Sequence, residues 1–329
     1  MTRRLAYWAM AAAGLTLAAC SRTSPSMLDH RGSEARHIAG VWWLMFGLAA
    51  GVYAVVAAFI VVAVVRGRHT PGGRRSAWSD NGFIWVGGIV VPVLILALLA
   101  VVTVTSTRAL RNPESGAVRI HVVGKRWWWA VEYPDDKIVT ANEVHVPVGR
   151  PVEVSVDSDN VIHSFWVPQL AGKADTIPGQ ENVLRFRAER AGTYRGACAE
   201  YCGLQHAHMD FLVVADSPDA FDRWRTRHQE LTATPSSEEQ AQGQRVFMRE
   251  ACAGCHTIRG TQAQGTIGPD LTDFGSRSWI GAITVPNTTG FLSGWIANSQ
   301  SIKPGNLMPP NSLSPSDLTA VVAYLQSLK

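Results

Sequence analysis

The stretch Cys198-Ala199-Glu200-Tyr201-Cys202-Gly203-Leu204-Gln205-His206-Ala207-His208-Met209 brings two thiols, imidazole nitrogen and a thioether into one short loop. Sulfur and imidazole nitrogen are ligands that copper selects, and two thiolates can bridge a pair of copper ions. A single blue copper ion needs only one Cys, two His and a weak axial Met, so the second Cys favours a dinuclear site. Another imidazole, that of His163, lies upstream, and a sheet can bring it beside this loop. The stretch therefore predicts a copper centre in a strand-rich domain.

The residues of this loop leave other roles open. Cys198 and Cys202 could form a disulfide, because an exported chain lies in an oxidising compartment. Their C-x-x-x-C spacing is also similar to that of copper-delivery proteins. His208 lies close to His206 and has the same chemistry, so either imidazole could bind a metal.

Alternating apolar residues indicate strands on the amino-terminal side of the loop. Val118–Val122, Val152–Val156 and Leu184–Ala188 alternate with period two and are separated by Pro and Gly turns. This pattern predicts half-buried antiparallel strands in a sandwich or barrel of roughly 100 residues. Helical patterns are scarce until about Asp219.

A second motif, Cys252-Ala253-Gly254-Cys255-His256, has the C-x-x-C-H pattern of covalent c-type haem attachment. The two Cys could instead serve zinc or thiol redox chemistry. In the haem interpretation, His256 is the proximal iron ligand and Met308 is the opposite one, since no other Met and no further His follow the motif. A thioether ligand raises the potential of the iron, which suits an electron carrier.

The segment that follows the strands predicts a separate α-helical domain. Residues 232–239 form a polar linker, and a Ser before two acidic residues suits the start of a helix there. Near the end of the chain, helical spacing of apolar residues predicts a helix with one buried face: Leu318, Val321, Val322, Leu325 and Leu328.

Two further apolar stretches predict a membrane anchor. Ile38–Val65 and Phe83–Thr105 contain no charged residue and are long enough to cross about 30 Å of hydrocarbon as helices. Buried core helices are the alternative. The loop between the stretches is basic, so the positive-inside rule places it in the cytoplasm and both termini outside. The outer side is also where c-type haem is attached in bacteria.

The amino terminus indicates export. Arg3 and Arg4, an apolar run and a small-residue site before Cys20 form the three parts of a signal peptide over residues 1–19. Cys20 resembles the lipidated residue of a bacterial lipobox, and a plain signal anchor with an incidental Cys is the alternative. The net charge of +4 lies around the apolar segments and no basic stripe marks the exported part, which argues against nucleic acid as a partner.

Together with His163, the pattern C-x-E-x-C-x-x-x-H-x-x-M resembles the dinuclear CuA centre of subunit II of haem-copper cytochrome oxidases. The resemblance implies a cupredoxin-like β-sandwich. In that family the two Cys bridge the coppers, each His binds one copper, and the Met and a main-chain carbonyl are axial; the family spacing favours His206 over His208. The implied ligands are His163, Cys198, the Glu200 carbonyl, Cys202, His206 and Met209.

The same resemblance implies two further roles. The Glu200 carboxylate would point to a magnesium ion at the interface with catalytic subunit I. Trp127, in the run Trp127-Trp128-Trp129, matches the position where electrons enter the copper centre. Packing alone also explains three adjacent tryptophans, because aromatic residues are common in cores.

Cys252–His256, the Gly268-Pro269 pair and a final helix with Tyr324 resemble class I cytochromes c. The two halves together resemble subunit II of a caa3-type cytochrome c oxidase, a multidomain membrane protein. The implied domains are a two-helix transmembrane hairpin (38–105), a cupredoxin-like CuA domain (116–230) and an all-α cytochrome c domain (236–329).

This resemblance implies an electron-input subunit. Electrons would pass from covalent haem c through CuA to haem a of the catalytic subunit, which reduces O2. The implied partners are catalytic subunit I, further oxidase subunits and an upstream cytochrome c or bc1-type donor, with both redox domains outside the bacterial plasma membrane. The alternatives are the electron-input subunit of a CuA-type nitric oxide reductase, a free-standing membrane-anchored carrier and a copper chaperone.

Overall fold

A computed structural model confirms the multidomain fold class that the sequence predicts. It contains two long apolar helices, a β-sandwich and a helical C-terminal domain. The predicted signal peptide (1–19) and Cys20 lie outside the residues that the structure describes. The described residues are 25–69, 80–111, 113–231 and 233–329.

Two helical stretches of the described chain, Ser33–Arg66 and Asn81–Arg108, are long and apolar enough to cross a membrane. Their apolar side chains are largely exposed, as expected of helices that face lipid rather than a protein core. The second stretch contains a π-helical turn, Val86–Val90, within the helix. The helices are α1 (Ser33–His69), α2 (Asp80–Trp85), which continues through the π-turn, and α3 (Val91–Arg111).

Ten strands form two five-stranded sheets that pack face to face. One sheet has the order β3-β2-β1-β5-β8 and the other has the order β4-β10-β9-β6-β7. The strands are β1 (Val118–Lys125), β2 (Trp128–Tyr133), β3 (Ile138–Ala141), β4 (Glu143–Pro147), β5 (Val152–Ser158), β6 (His163–Trp166), β7 (Lys173–Thr176), β8 (Asn182–Phe186), β9 (Gly192–Cys198) and β10 (Asp210–Asp216).

The period-two pattern of the sequence explains this sandwich. Val118, Ile120 and Val122 of β1 point into the core, and the residues between them point outward. Not every pair is antiparallel as predicted: β1 pairs with β5, and β4 with β10, in parallel. The two strands of each parallel pair are not consecutive in the chain, and alternation along one strand carries no information about the direction of its neighbour.

A helix closes one end of the sandwich. Helix α4 (Pro218–Glu230) begins after Ser217, whose hydroxyl accepts a hydrogen bond from the Ala220 amide. Its Trp224 packs against Tyr133 of β2, with ring centroids 5.0 Å apart. We call strands β1–β10 together with α4 the sandwich domain.

The C-terminal domain is helical, as predicted. Ser237 caps its first helix by accepting a hydrogen bond from the Gln240 amide, and Ser314 caps its last helix in the same way. A short pair of strands, β11 (Trp279–Ile280) and β12 (Val285–Pro286), lies between the helices. The helices are α5 (Glu238–Arg249), α6 (Cys252–Cys255), α7 (Thr289–Ile302) and α8 (Pro315–Ser327).

The first and last helices of this domain cross at Gly243. A Cβ added there would lie 2.0 Å from the Ala320 carbonyl oxygen, so only glycine permits this approach. Phe247 and Tyr324 pack edge to face next to the crossing, with centroids 6.2 Å apart. The buried face of α8 predicted from the sequence is therefore covered by α5.

We expect Gly243→Ala to lower the free energy of unfolding by about 1 to 3 kcal/mol, because the added methyl group forces the two helices apart. Thermal unfolding followed by circular dichroism measures the change. Gly290→Ala is the matched control: Gly290 has open space around it in α7, and a change below about 1 kcal/mol is expected. Equal stabilities of the two variants would contradict this account of the crossing.

Candidate metal centres

Three strands of one sheet each have one end at the metal-ligand region around residues 198–209, which we call the sulfur-rich loop. Strand β6 begins at His163, β9 ends at Cys198, and β10 begins directly after Met209. Phe165 pairs with Cys198, and the Cys198 amide donates a hydrogen bond to the Met209 carbonyl 3.0 Å away. The sheet register therefore brings residues from distant parts of the chain to one edge.

The sulfur and nitrogen atoms form a compact set. The sulfurs of Cys198 and Cys202 lie 3.8 Å apart. Each sulfur has its own imidazole: His163 Nδ1 lies 3.9 Å from Cys198, and His206 Nδ1 lies 3.7 Å from Cys202. We call these four residues and Met209 the sulfur cluster.

Two weaker donors complete the arrangement. Met209 Sδ lies 3.9 Å from the sulfur of Cys202, and the Glu200 carbonyl oxygen lies 3.2 Å from the sulfur of Cys198. Each thiol thus has one nitrogen and one weak donor beside it, which is the donor set that a thiolate-bridged copper pair requires. The residues present fit such a group.

The His163 ring is oriented for metal binding. Its Nε2 lies 3.1 Å from Asn160 Oδ1, and an N–H donated there leaves Nδ1 with a lone pair toward the sulfurs. Gly124, at the end of β1 in the opposite sheet, makes room for the ring, since a Cβ there would lie 2.8 Å from it. The ring itself is fully buried.

Electrostatics favour a thiolate at Cys198. The neighbouring Cys202 thiol, followed by His163 and the backbone, lowers the pKa of Cys198 well below its ordinary value, against the effect of burial. The hydrogen bond shared with Cys198, followed by burial and the neighbouring charge, raises the pKa of Cys202. Metals bind thiolates rather than thiols, and the shared proton between these two sulfurs is the one that metal binding would displace.

The structure separates the two candidate imidazoles of the loop. His206 is half-buried and faces Cys202, as above. His208 is exposed, and its Nδ1 lies 2.9 Å from Gln205 Oε1 rather than beside a sulfur. The Glu200 carboxylate is half-exposed and lies 3.6 Å from the Lys173 ammonium. A carboxylate beside an ammonium does not make a magnesium site, so further ligands would have to come from a partner subunit.

The four predicted haem residues line one cavity. This cavity, of about 180 Å³, lies between the helices of the C-terminal domain and is mostly apolar; we call it the haem cavity. His256 Nδ1 donates to the Pro269 carbonyl 2.8 Å away, which leaves Nε2 free to bind iron. Burial lowers the pKa of His256, so the ring is in its neutral, ligating form. The haem residues on the cavity wall are Cys252, Cys255, His256 and Met308.

Arg277 also reaches this cavity. It is 6% exposed, and its Nε is buried and has no hydrogen-bond partner among the described residues. Its Nη2 donates to the Asp270 carbonyl, 2.7 Å away, and to the Asp273 carboxylate. An unpartnered cationic N–H on the wall of an apolar cavity fits a group that carries carboxylates, as haem does.

The sandwich domain closes one side of the haem cavity, where Arg126, Trp127 and Trp128 contribute to the wall. Trp127 Nε1 donates to the Cys202 carbonyl at 2.9 Å. A Cβ added to Gly305 of the C-terminal domain would lie 3.6 Å from the Trp127 ring. Trp127 thus lies between the sulfur cluster and the segment that carries Met308.

A buried ionic network joins the two domains farther along the interface. Asp273 of the C-terminal domain lies 2.7 Å from His228 Nε2 of α4 and also accepts from Arg277. The Arg277 guanidinium donates as well to Thr140 of β3, 3.2 Å away. Burial alone would raise the pKa of Asp273, but the Arg277 charge and the His228 contact outweigh burial and hold that pKa well below its usual value.

Sequence patterns did not point to His228, Asp273, Arg277 or Lys303, all of which are buried between the domains. Each belongs to a residue type that is usually exposed, and no motif accompanies them. A weak signal exists for Lys303, which lies in the same short segment as Met308.

Comparisons with known proteins agree with this arrangement. The family model "Cytochrome C oxidase subunit II, periplasmic domain" matches residues 136–216, and the model "Cytochrome c" matches residues 240–329. Cytochrome c oxidase subunit 2 of Alkalihalophilus pseudofirmus is 35% identical over 92% of this chain and 90% of that protein. Quinol oxidase subunit 2 of Bacillus cereus is 30% identical over 60% of this chain and 70% of that protein.

Solved structures give a partial match. The crystal structure of the periplasmic domain of subunit II of cytochrome oxidase of Bradyrhizobium japonicum has a TM-score of 0.35 and 30% identity. The match covers 36% of this chain and 96% of that one.

We expect Asp273→Asn to lower the free energy of unfolding by about 3 kcal/mol near neutral pH, because it leaves the buried Arg277 guanidinium without its counter-charge. A carboxyl whose pKa is lowered by folding stabilises the folded state above its ordinary pKa of 3.8 and loses that effect as the pH falls. The difference in unfolding free energy between Asp273→Asn and the native chain should therefore shrink below that pH. Thermal unfolding at several pH values measures both effects.

The control for this variant is Asp222→Asn. Asp222 is an exposed residue of α4 that pairs with Arg225, and its loss should cost less than about 1 kcal/mol. A pH-independent effect of Asp273→Asn, or equal effects of the two variants, would count against a stabilising charge at Asp273.

Proposed function

Since this chain belongs to the cytochrome c oxidase subunit 2 family and also carries a cytochrome c domain, we propose that it is the electron-input subunit of a caa3-type oxidase. In this proposal the C-terminal domain receives electrons and the sandwich domain delivers them to haem a of a catalytic subunit, where O2 is reduced. The chain is part of an oxidase complex, and the reaction with O2 belongs to another subunit.

One observation carries the proposal: a copper-type donor set and a haem-type donor set lie on either side of Trp127 in one chain. A copper chaperone needs the first set only, and a free cytochrome needs the second only. The same indole donates to the Cys202 carbonyl and lines the cavity of the haem-type donors, which supports a chain built to move electrons between the two sets.

For the copper pair, we propose Cys198 and Cys202 as bridging ligands and His163 and His206 as the nitrogen ligands. Met209 and the Glu200 carbonyl would be the weak donors. The chain holds His163 by Asn160 and buries both thiols, which are 7% and 5% exposed, so the site keeps its shape and excludes water. When bound, the copper pair and the haem would each take up and release one electron.

For the haem, we propose thioether bonds from Cys252 and Cys255, and iron ligation by His256 and Met308. Pro269 orients the His256 ring. The Asn306 side chain accepts from the Met308 amide at 2.8 Å, and Ser299 donates to the Met308 carbonyl at 2.8 Å, which fixes the backbone that presents the thioether. The apolar wall of the haem cavity keeps water away from the iron.

Trp127 has two functions in this proposal. Its N–H holds the Cys202 carbonyl, and its ring fills the space up to Gly305, which lies close in sequence to Met308. Packed atoms thus replace a gap or a water layer between the two donor sets. We propose Trp127 as the entry point for electrons to the sulfur cluster.

The two apolar helices and the match to a periplasmic domain agree with a membrane-anchored protein whose redox domains lie outside. We propose the bacterial plasma membrane as that membrane and catalytic subunit I as the main partner. Magnesium at the Glu200 carboxylate would require ligands from that partner, as the contact with Lys173 indicates.

We expect Cys202→Ser to abolish copper binding and oxidase turnover while covalent haem is retained, because the haem residues belong to the other domain. Metal analysis and the haem absorption spectrum of the purified chain provide the readout. Cys198→Ser should have the same effect. Copper retained at two ions per chain, or native turnover, would exclude these thiols as ligands.

A matched pair of variants tests the choice between the two imidazoles. His206→Asn should lose copper, whereas His208→Asn should keep it, because the His208 ring faces Gln205 instead of a sulfur. Copper lost only from His208→Asn would reverse the assignment.

Purification in mild detergent tests the function as a whole. We expect a large catalytic subunit to copurify and to show optical signals of haem a. Signals of b-type haem alone would favour a nitric oxide reductase, and purification without any haem-bearing subunit would favour a free-standing carrier or a chaperone. Oxidation of reduced cytochrome c by the purified complex in the presence of O2 is the accompanying activity measurement.

A further inference from the structure

Lys303 is a buried lysine at the interface of the two domains. It lies at the carboxyl end of α7 and is 2% exposed. Its ammonium donates to three main-chain carbonyls, those of Trp127 at 2.8 Å, His208 at 2.7 Å and Gly281 at 2.7 Å. An ammonium has three N–H groups, so each is used once.

The three acceptors belong to different parts of the protein. Trp127 and His208 are in the sandwich domain, and Gly281 is in the C-terminal domain. One ammonium group therefore joins the Trp127 backbone and the end of the sulfur-rich loop to the C-terminal domain. A methyl-terminated side chain of equal length would lose all three hydrogen bonds, and of the three carbonyls that of Gly281 would keep the Thr284 hydroxyl as a donor.

Burial of this charge is costly. No salt bridge to Lys303 occurs among residues 25–69, 80–111, 113–231 and 233–329. The negative charge that most favours the Lys303 ammonium is that of Asp210, and Asp210 is itself paired with Arg195. Burial lowers the pKa of Lys303 to about 7, although Asp210 and Cys202 act in the opposite direction. A leucine or methionine would avoid this cost but would lose the three hydrogen bonds, so the lysine combines a desolvation cost with contacts that no apolar residue can make.

The segment that starts at Lys303 is attached to the sulfur-rich loop a second time. Gln205 Nε2, between Cys202 and His206, donates to the Pro304 carbonyl at 2.8 Å. Gly305 then passes against the Trp127 ring, and the segment ends at Met308. The chain from Lys303 to Met308 thus runs from the copper-type donors to the haem-type donor.

We propose that Lys303 is a positioning residue for electron exchange between the two domains: it fixes the Met308 segment on the sulfur-rich loop, and its charge favours the arrival of an electron there. This proposal rests on the proposed function. The exchange moves one electron, which oxidises the haem iron and reduces the copper pair by one, and no bond or proton changes place.

Distance and charge are the two physical causes. Electron transfer through protein weakens steeply with distance, so a contact that holds the Met308 segment on the sulfur-rich loop keeps the exchange fast. When Lys303 is protonated, its charge is poorly screened by water and lowers the energy of an added electron nearby, so it raises the reduction potential of a group at the sulfur cluster.

The test uses the complete oxidase complex with Lys303→Met in this chain. A flash photoreductant delivers one electron to the haem, and absorption changes follow its transfer to the copper pair. We expect the exchange to slow and the reduction potential of the copper pair to fall, while haem and copper contents stay native. Loss of bulk stability alone would not lower that potential in a fully loaded complex.

A readout that does not depend on electron transfer is hydrogen exchange of the chain itself. Lys303→Met should speed amide exchange around Gly281 and around His208, where the domains meet. Lys329→Met removes the same charge from an exposed position of the same domain. It should change neither the electron-transfer rate, nor the reduction potential of the copper pair, nor the amide hydrogen exchange. If Lys303→Met does not assemble, Lys303→Gln, which keeps two N–H donors without the charge, takes its place, and the same fall in potential is expected.

The outcomes separate the two proposals. Native exchange rate, potential and amide protection in the Lys303 variant would overturn the role of Lys303 and leave the proposed function intact. Absence of electron exchange in the unmodified, fully loaded complex would overturn the proposed function, and the role of Lys303 with it.

Discussion

The approach of two sulfur atoms to 3.8 Å, those of Cys198 and Cys202, is the constraint on which the sandwich domain depends. It requires the chain to leave β9, turn back within a short loop and enter β10 in register with β9. Aromatic packing behind the loop holds this turn: Phe165 and Phe211 stack with centroids 4.2 Å apart, and Trp129 meets both edge to face. The aromatic core thus fixes the donor atoms, which limits rearrangement when charge arrives.

The interface between the domains follows a different principle. It buries charged groups, and each makes at least one hydrogen bond to the other domain. Asp273 finds His228 across the interface, and Lys303 finds the carbonyls of Trp127 and His208. Such groups are costly to bury without partners, so they define one relative orientation much more sharply than apolar contact does. The orientation that satisfies them is also the one that places Trp127 between the two donor sets.

The local parts of this protein could be predicted from the sequence, and the contacts between distant parts could not. Period-two alternation at Val118–Val122 predicted a strand because side-chain direction is a local property. The donors of the short loop from Cys198 to Met209 could be predicted because residues that are close in sequence must also be close in space. Arg277 and Lys303 look like ordinary surface residues in the sequence, since their burial depends on a partner domain more than a hundred residues away. The parallel pairing of β1 with β5 was missed for the same reason.

Covalent attachment explains why such a polar interface is sufficient. Residues 231–237 connect the domains, so docking is intramolecular and the loss of translational freedom is already small. An interface between separate proteins must offset that loss with apolar area or with long-range charge attraction. Here the near-balanced composition, 30 basic against 26 acidic residues, provides little long-range steering. Because the linker keeps the two domains close, Lys303 and the ionic network around Asp273 need only select the relative orientation of the domains. They can do so at a desolvation cost that a diffusing partner could not sustain.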